Sequence, residues 1–165
     1  MTNIKQNDSG LENLKKEYLK KQKKYNFVDF KLMNEDFQIE RISEIETEYL
    51  VRELRKFIAE KFSNYLRFVE TILNPTNASM LVFYFIKSMS VEDKKILRDI
   101  YKKLAENEIT ILEFDIEFNE KREAEYIKNS FNLWQDMKKD LLDVISSIKK
   151  NLGSKFETNN KDYFG

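Results

Sequence analysis

The chain has 165 residues, with 29 basic and 29 acidic side chains; 35% of it is charged, 41% hydrophobic and 13% aromatic. That length suits one domain with or without tails and can bury a sizeable core. The zero net charge excludes a global field that draws in nucleic acid or an anionic membrane.

The opening stretch, MTNIKQNDSG, lacks the apolar run of a signal peptide. Residues 1–8 read as a flexible N-terminus. Ser9 and Glu12 have the spacing of a capping box, which predicts a helix from Ser9. Leu11, Leu14, Tyr18 and Tyr25 mark its apolar face. Around that face stand Lys15, Lys16, Lys20, Lys21, Lys23 and Lys24, and residues 1–33 hold eight lysines against four acids.

Between Phe27 and Gln38 the helical pattern weakens. Val28, Phe30 and Leu32 alternate with Asp29 and Lys31, the mark of a short strand or of a loop whose rings plug the core. Ser43 and Glu46 form a second capping box and predict a long helix. Its stripe runs from Ile42, Ile45 and Tyr49 through Leu54, Phe57, Ile58, Tyr65, Leu66, Val69, Ile72 and Leu73. About 30 residues would make a rod of roughly 45 Å. Asn74 and Pro75 end it, and the same pair is placed to start the next helix, as N-cap and first helical residue.

That next segment, Thr76 to Met89, contains the longest apolar run of the chain, Met80 to Ile86. A helix apolar on all sides is expected either at the centre of the molecule or in an interface with a second copy. The run is far shorter than the roughly 20 residues that cross a bilayer, and the chain reads as cytoplasmic. Ser90 and Asp93 cap a further helix, with Val91, Leu97, Ile100, Tyr101 and Leu104 as its stripe.

Residues 109–118 read two ways. Leu112, Phe114, Ile116 and Phe118 alternate with Glu113, Asp115 and Glu117, which favours a strand pairing with Val28 to Leu32. Ile100, Leu104, Ile111, Phe114 and Phe118 also fall at steps that would carry the preceding helix on. The last helix begins near Asn119. It carries Ile127, Phe131, Trp134, Met137, Leu141, Val144, Ile145, Ile148 and Leu152, and Gly153 stands where a left-handed cap would end it. Residues 154–165 read as a flexible tail, in which Tyr163 and Phe164 are either an unstructured end or a docking peptide. The expected fold is mainly α: a single domain over 9–153, a bundle of about five helices around an aromatic core, with or without a small two-stranded ribbon.

The missing residues exclude much chemistry. The chain has no histidine, no cysteine, and no glycine between Leu11 and Leu152. Activated serine or cysteine nucleophiles generally need a histidine base. Zinc sites draw on Cys and His, and phosphate loops need glycines where backbone approaches the anion. No catalytic set, cofactor site or metal site is assigned. The remaining candidates are carboxylates and lysines. Glu117, Glu120 and Glu123, and separately Asp136, Asp140 and Asp143, have spacings that could hold Mg²⁺ for a phosphohydrolase, or that simply face solvent. The lysines with Tyr18 and Tyr25 offer cations and rings to a nucleic acid, or pair with the protein's own acids. The aromatics Phe57, Phe62, Phe68, Phe83, Tyr84, Phe85, Phe131 and Trp134 line a ligand cavity or, as is usual for such stripes, fill the core.

The reading that follows is a non-enzymatic helical module for protein–protein contact, binding a partner or a second copy of itself. Its expected contact residues are Lys15, Lys16, Lys20, Lys21, Lys23 and Lys24 on the basic helix, and Glu113, Asp115, Glu117 and Glu120 on the acidic stretch. The rival is a nucleic-acid-associated regulator using the basic helix.

Overall fold

The computed structural model describes residues 3–76 and 79–159, with side chains for 9–76 and 79–152. Six α-helices follow in order: α1 (Asn3–Tyr25), α2 (Phe30–Phe37), α3 (Leu50–Leu73), α4 (Met80–Ser88), α5 (Val91–Ile116) and α6 (Glu120–Asn159). A short 3-10 helix, Ile39–Glu44, lies between α2 and α3. Among the described residues there is no strand: of the two readings of 109–118 the helical one holds as far as Ile116, and Val28 to Leu32 is a short connection that enters α2 at Phe30. The chain divides into two compact units: Met1–Phe62 with Ile109–Leu133, and Ser63–Glu108 with Trp134–Gly165. No helix is long and apolar enough to cross a membrane among the described residues.

In the first unit, α1 begins at Asn3 and Ser9 lies inside it rather than capping it. Gly10 explains itself by proximity: a Cβ there would stand 3.0 Å from the Ser43 carbonyl oxygen, so a side chain would have to push the 3-10 helix back by a few tenths of an ångström. Asn26 (φ 57°) turns the chain out of α1 in the left-handed region, which asparagine tolerates better than most residues. Asp29 is then not a strand residue but the N-cap of α2, its carboxylate accepting from the Lys31 N–H at 2.8 Å. Met33 and Phe37, one turn apart, are the buried face of α2. Tyr18 is fully buried; its hydroxyl donates to the Val28 carbonyl at 2.9 Å and its ring meets Phe30 edge-on at 5.2 Å. Burial, with Asp29 nearby, pushes the Tyr18 phenol above its ordinary range. Leu14, Ile39, Ile42, Leu54, Ile58, Phe62, Phe114 and Ile127 complete this core.

The predicted start of the long helix at Ser43 is displaced to Leu50. The Ser43 hydroxyl donates to the Glu40 carbonyl at 2.6 Å, closing the 3-10 turn behind it instead of capping a helix ahead. The Thr47 hydroxyl accepts from the Tyr49 N–H at 3.0 Å and turns the chain into α3. The helix therefore has 24 residues and is about 36 Å long. It ends at Leu73, before Asn74 and Pro75, as expected. Those two do not start the next helix, however. The Thr76 N–H donates to the Asn74 carbonyl at 2.9 Å, and α4 begins only after Ser79, whose backbone is extended.

In the second unit, the Ser90–Asp93 box is present in full. The Ser90 N–H and hydroxyl both donate to Asp93 Oδ2 at 2.8 Å, and the Asp93 N–H donates to Ser90 Oγ at 3.0 Å. Ser147 of α6 adds a third donor at 2.8 Å. Burial works against the Asp93 charge, but these donors outweigh it and hold the carboxyl below its usual range. Val69, Ile72, Leu97, Ile100, Leu104, Trp134, Met137, Leu141 and Val144 form the core, with the Tyr65 ring 5.1 Å from Trp134. α6 runs through Gly153 to Asn159. The position expected to end the helix keeps helical backbone, at roughly 1 kcal/mol relative to alanine. Tyr163 and Phe164 lie outside the described residues.

Candidate functional site

Charge in the first unit is gathered at the start of α6. Asn119 caps it, its side-chain oxygen accepting from the Arg122 N–H at 3.1 Å. Glu120 in the first turn then meets the C-terminal end of α1. Its Oε1 accepts from Lys21 Nζ at 2.8 Å, Lys24 Nζ at 3.3 Å and the Tyr25 hydroxyl at 2.5 Å. Lys21 first, then Tyr25, against the cost of burial and with help from Lys24, pull the Glu120 carboxyl down to about 2. The Lys24 ammonium also sits 4.7 Å from the Tyr25 ring centroid. One turn further on, Glu123 is wholly buried and faces Arg55 of α3, itself 4% exposed. Arg55 Nε stands 3.6 Å from Glu123 Oε1, while its Nη2 donates to Asp115 at 3.1 Å. Among the described residues, neither Glu123 oxygen nor Arg55 Nε has a hydrogen-bond partner. Burial pushes the Glu123 carboxyl up; Arg55 and Arg52 draw it back only in part, and Asp115 and Glu120 add to the rise. Arg122 bonds Glu113 at 2.8 Å and lies 4.0 Å from Glu117.

These distances disperse the carboxylates that sequence spacing groups together. Glu117, Glu120 and Glu123 turn to Arg122, to the α1 lysines and to Arg55 respectively. Among the described residues, no group of three or more acids is arranged to hold a metal ion. In the second unit, Asp136 and Asp143 are exposed and Asp140 is half-buried. On α1, Lys15 pairs with Glu12 at 3.3 Å and Lys20 with Glu17 at 2.6 Å. Together with Lys21 and Lys24, four of the six lysines have a carboxylate partner; Lys16 and Lys23 have none among the described residues. The acidic contact candidates are likewise paired: Glu113, Asp115, Glu117 and Glu120 each face a cation. Arg55 and Arg122 are participants that the sequence alone did not single out.

A groove of about 430 Å³ opens between α1 and the segment leading into α3. Leu14, Ile42 and Leu50 form its apolar floor, and Glu17, Lys21, Glu46 and Glu48 its rim.

Exposed apolar surface is the other feature. In the second unit, α4 buries only Ser88. Met80, Leu81, Phe83 and Tyr84 are all large and exposed, from 41% for Phe83 to 72% for Met80. The expectation of a central, buried helix is thereby overturned within the chain itself. Phe62, Phe131 and Trp134 are core, whereas Phe68 is exposed with Phe83 and Tyr84. In the first unit, Ile109, Leu112 and Ile116 of α5 are also exposed. Compared with models of protein families, with curated proteins and with solved structures, the chain matches none.

Proposed function

We propose that this chain is a non-enzymatic helical module for protein–protein contact that associates with a second copy of itself through α4. The observation that carries this reading is the seven-residue uncharged run Met80–Ile86, folded into a helix that leaves Met80, Leu81, Phe83 and Tyr84 exposed and only half-buries Val82, Phe85 and Ile86. Monomeric proteins seldom leave such a contiguous apolar patch open. A twofold contact sets each surface against its own copy, so charge would meet like charge; an uncharged face is self-complementary without further design. The zero net charge of the chain adds no long-range repulsion between copies.

The energetics limit the pair to a weak, concentration-dependent one. Met80, Leu81, Phe83 and Tyr84 are each roughly half exposed, so covering one recovers roughly 1 kcal/mol. Eight such side chains in a symmetric pair recover about 8 kcal/mol, against about 4–15 kcal/mol for lost freedom of motion. Phe68 and Val91 of the same unit are exposed as well and add apolar area to draw on.

Light scattering coupled to size exclusion, run over a range of concentrations, tests the reading. The expected result is a mass rising towards that of a dimer, and a monomer when Met80 and Leu81 are both changed to lysine with no loss of thermal stability. A monomer at all concentrations up to about 0.5 mM overturns it. Nucleic-acid binding through α1 draws no support from the geometry, since most of its lysines are engaged by carboxylates.

A further inference from the structure

Helix α5 has two apolar stripes rather than one. Within the first unit, Ile111 and Phe114 are buried and hold the helix to the core. On the opposite side Ile109, Leu112 and Ile116 are 57% to 88% exposed. Their steps of three and four residues are those of a helix-pairing seam, with isoleucine at the two a positions and leucine at d. Isoleucine at a with leucine at d suits a two-stranded pairing. In that register Glu113 occupies e and Asp115 occupies g, and both side chains are more than half exposed. The first is bonded to Arg122 and the second to the buried Arg55, each through one oxygen.

The flanking charge decides the occupant. Were a second copy to dock on this seam, acid would face acid in either helix orientation, which disfavours the pair. A helix with lysine or arginine at its own e and g positions meets no such repulsion and gains charge pairs along both edges. We propose that the outer face of α5, at Ile109, Leu112 and Ile116, docks a short basic amphipathic helix of a partner protein. The partner sets apolar side chains between these three residues and directs its cations to Glu113 and Asp115. This surface uses none of the α4 residues and goes beyond the self-association proposed above.

The test uses two labelled synthetic helices of equal length. Both carry isoleucine at a and leucine at d; one has lysine and the other glutamate at e and g. Fluorescence anisotropy with the full chain should show binding of the lysine peptide alone. Changing Leu112 and Ile116 together to aspartate should weaken it at least about tenfold; both side chains are exposed, so thermal stability should be unchanged. Glu113→Lys should weaken the lysine peptide about two- to fivefold and strengthen the glutamate peptide, a reversal that loss of folding does not produce. The Met80→Lys/Leu81→Lys variant should bind as the parent does, which separates this proposal from the role of α4. The proposal is overturned if the lysine peptide fails to bind at about 1 mM protein, if the glutamate peptide binds equally, or if the Leu112/Ile116 variant binds unchanged. It is also overturned if that variant abolishes a dimer of the chain, since the seam would then belong to a second copy.

Discussion

Removing Arg55 should cost this protein far more than removing the Arg55–Glu123 pair altogether. Glu123 has no exposed surface, and neither of its oxygens accepts a hydrogen bond among the described residues; its main compensation is the Arg55 guanidinium at 3.6 Å, with Arg52 adding to it. Arg55→Ala strips that compensation away and strands a carboxylate in the core, for which about 3–5 kcal/mol is the expected loss. The accompanying bond to Asp115 adds less than about 1 kcal/mol, because Asp115 is largely exposed. A chain of this size loses about 2–4 °C of melting temperature per kcal/mol, so the variant should melt roughly 6–20 °C lower. The double change Arg55→Met/Glu123→Met replaces two poorly bonded charges by apolar groups of similar reach. It should lie within about 1 kcal/mol of the parent or above it. Thermal and urea unfolding of the parent, both singles and the double complete the cycle. The pH dependence has a definite sign. Burial raises the Glu123 pKa in the folded state, so the folded chain holds that proton more tightly than the unfolded one. Its contribution to stability grows as pH falls through the folded pKa towards the ordinary carboxyl value, and Arg55→Ala should steepen that growth. An Arg55→Ala loss below about 1 kcal/mol, or a double variant worse than both singles, would refute the account.

Three further outcomes are expected. Glu120→Gln removes the common acceptor of Lys21, Lys24 and Tyr25 and should cost about 1–2 kcal/mol at neutral pH, after allowance for a side chain a third exposed. Because Glu120 titrates at about 2 when folded against 4.5 ordinarily, its stabilisation is complete above that ordinary value and is lost as pH falls towards 2; acid unfolding followed by circular dichroism should show this component missing in the variant. Ser90→Ala deletes an acceptor for the Asp93 N–H and a donor to its carboxylate; about 1 kcal/mol is expected in urea unfolding. Ile58→Ala, at a fully buried position of α3, should cost about 2–5 kcal/mol by the same measurement.

The helices with one apolar stripe were legible in the sequence, whereas the part of α5 with two read as strand or as helix. Leu14 and Tyr18 on α1, and the run from Trp134 to Val144 on α6, are buried as their spacing requires. Residues 109–118 alternate because Leu112 and Ile116 lie on one side of a helix while Phe114 lies on the other. Two opposed stripes on one helix imitate the period of a strand. The Val28–Leu32 alternation had a different source: Asp29 is a cap, and the residues around it straddle the entrance to α2. The box at Ser43 failed because a serine hydroxyl can donate backward as readily as it can accept from ahead.

The candidate site divides along the same line. That the acidic and basic stretches would neutralise each other was open to a reading of local charge, and Glu120 with Lys21 and Lys24 shows it. Which acid would meet which cation was not, because pairing depends on side-chain direction across elements about a hundred residues apart. Arg55 nevertheless left a trace. Val51, Arg55, Ile58 and Phe62 follow at steps of four, three and four, so a cation occupies a position on an otherwise buried stripe. Glu123 stands likewise with Ile127 and Ser130. Two opposite charges, each inside an apolar stripe, have few ways to avoid the cost of desolvation except by meeting. The converse governs the surfaces: an uncharged run of α4 left outside, and an apolar seam edged by acids, lose most by staying wet. It follows that the stability of this fold should respond most to its few buried charges, and its association to its few exposed hydrophobic residues. Arg55→Ala and Leu112→Asp/Ile116→Asp separate those two roles, since the first should lower stability without changing what the folded faces recognise, and the second should change recognition without lowering stability.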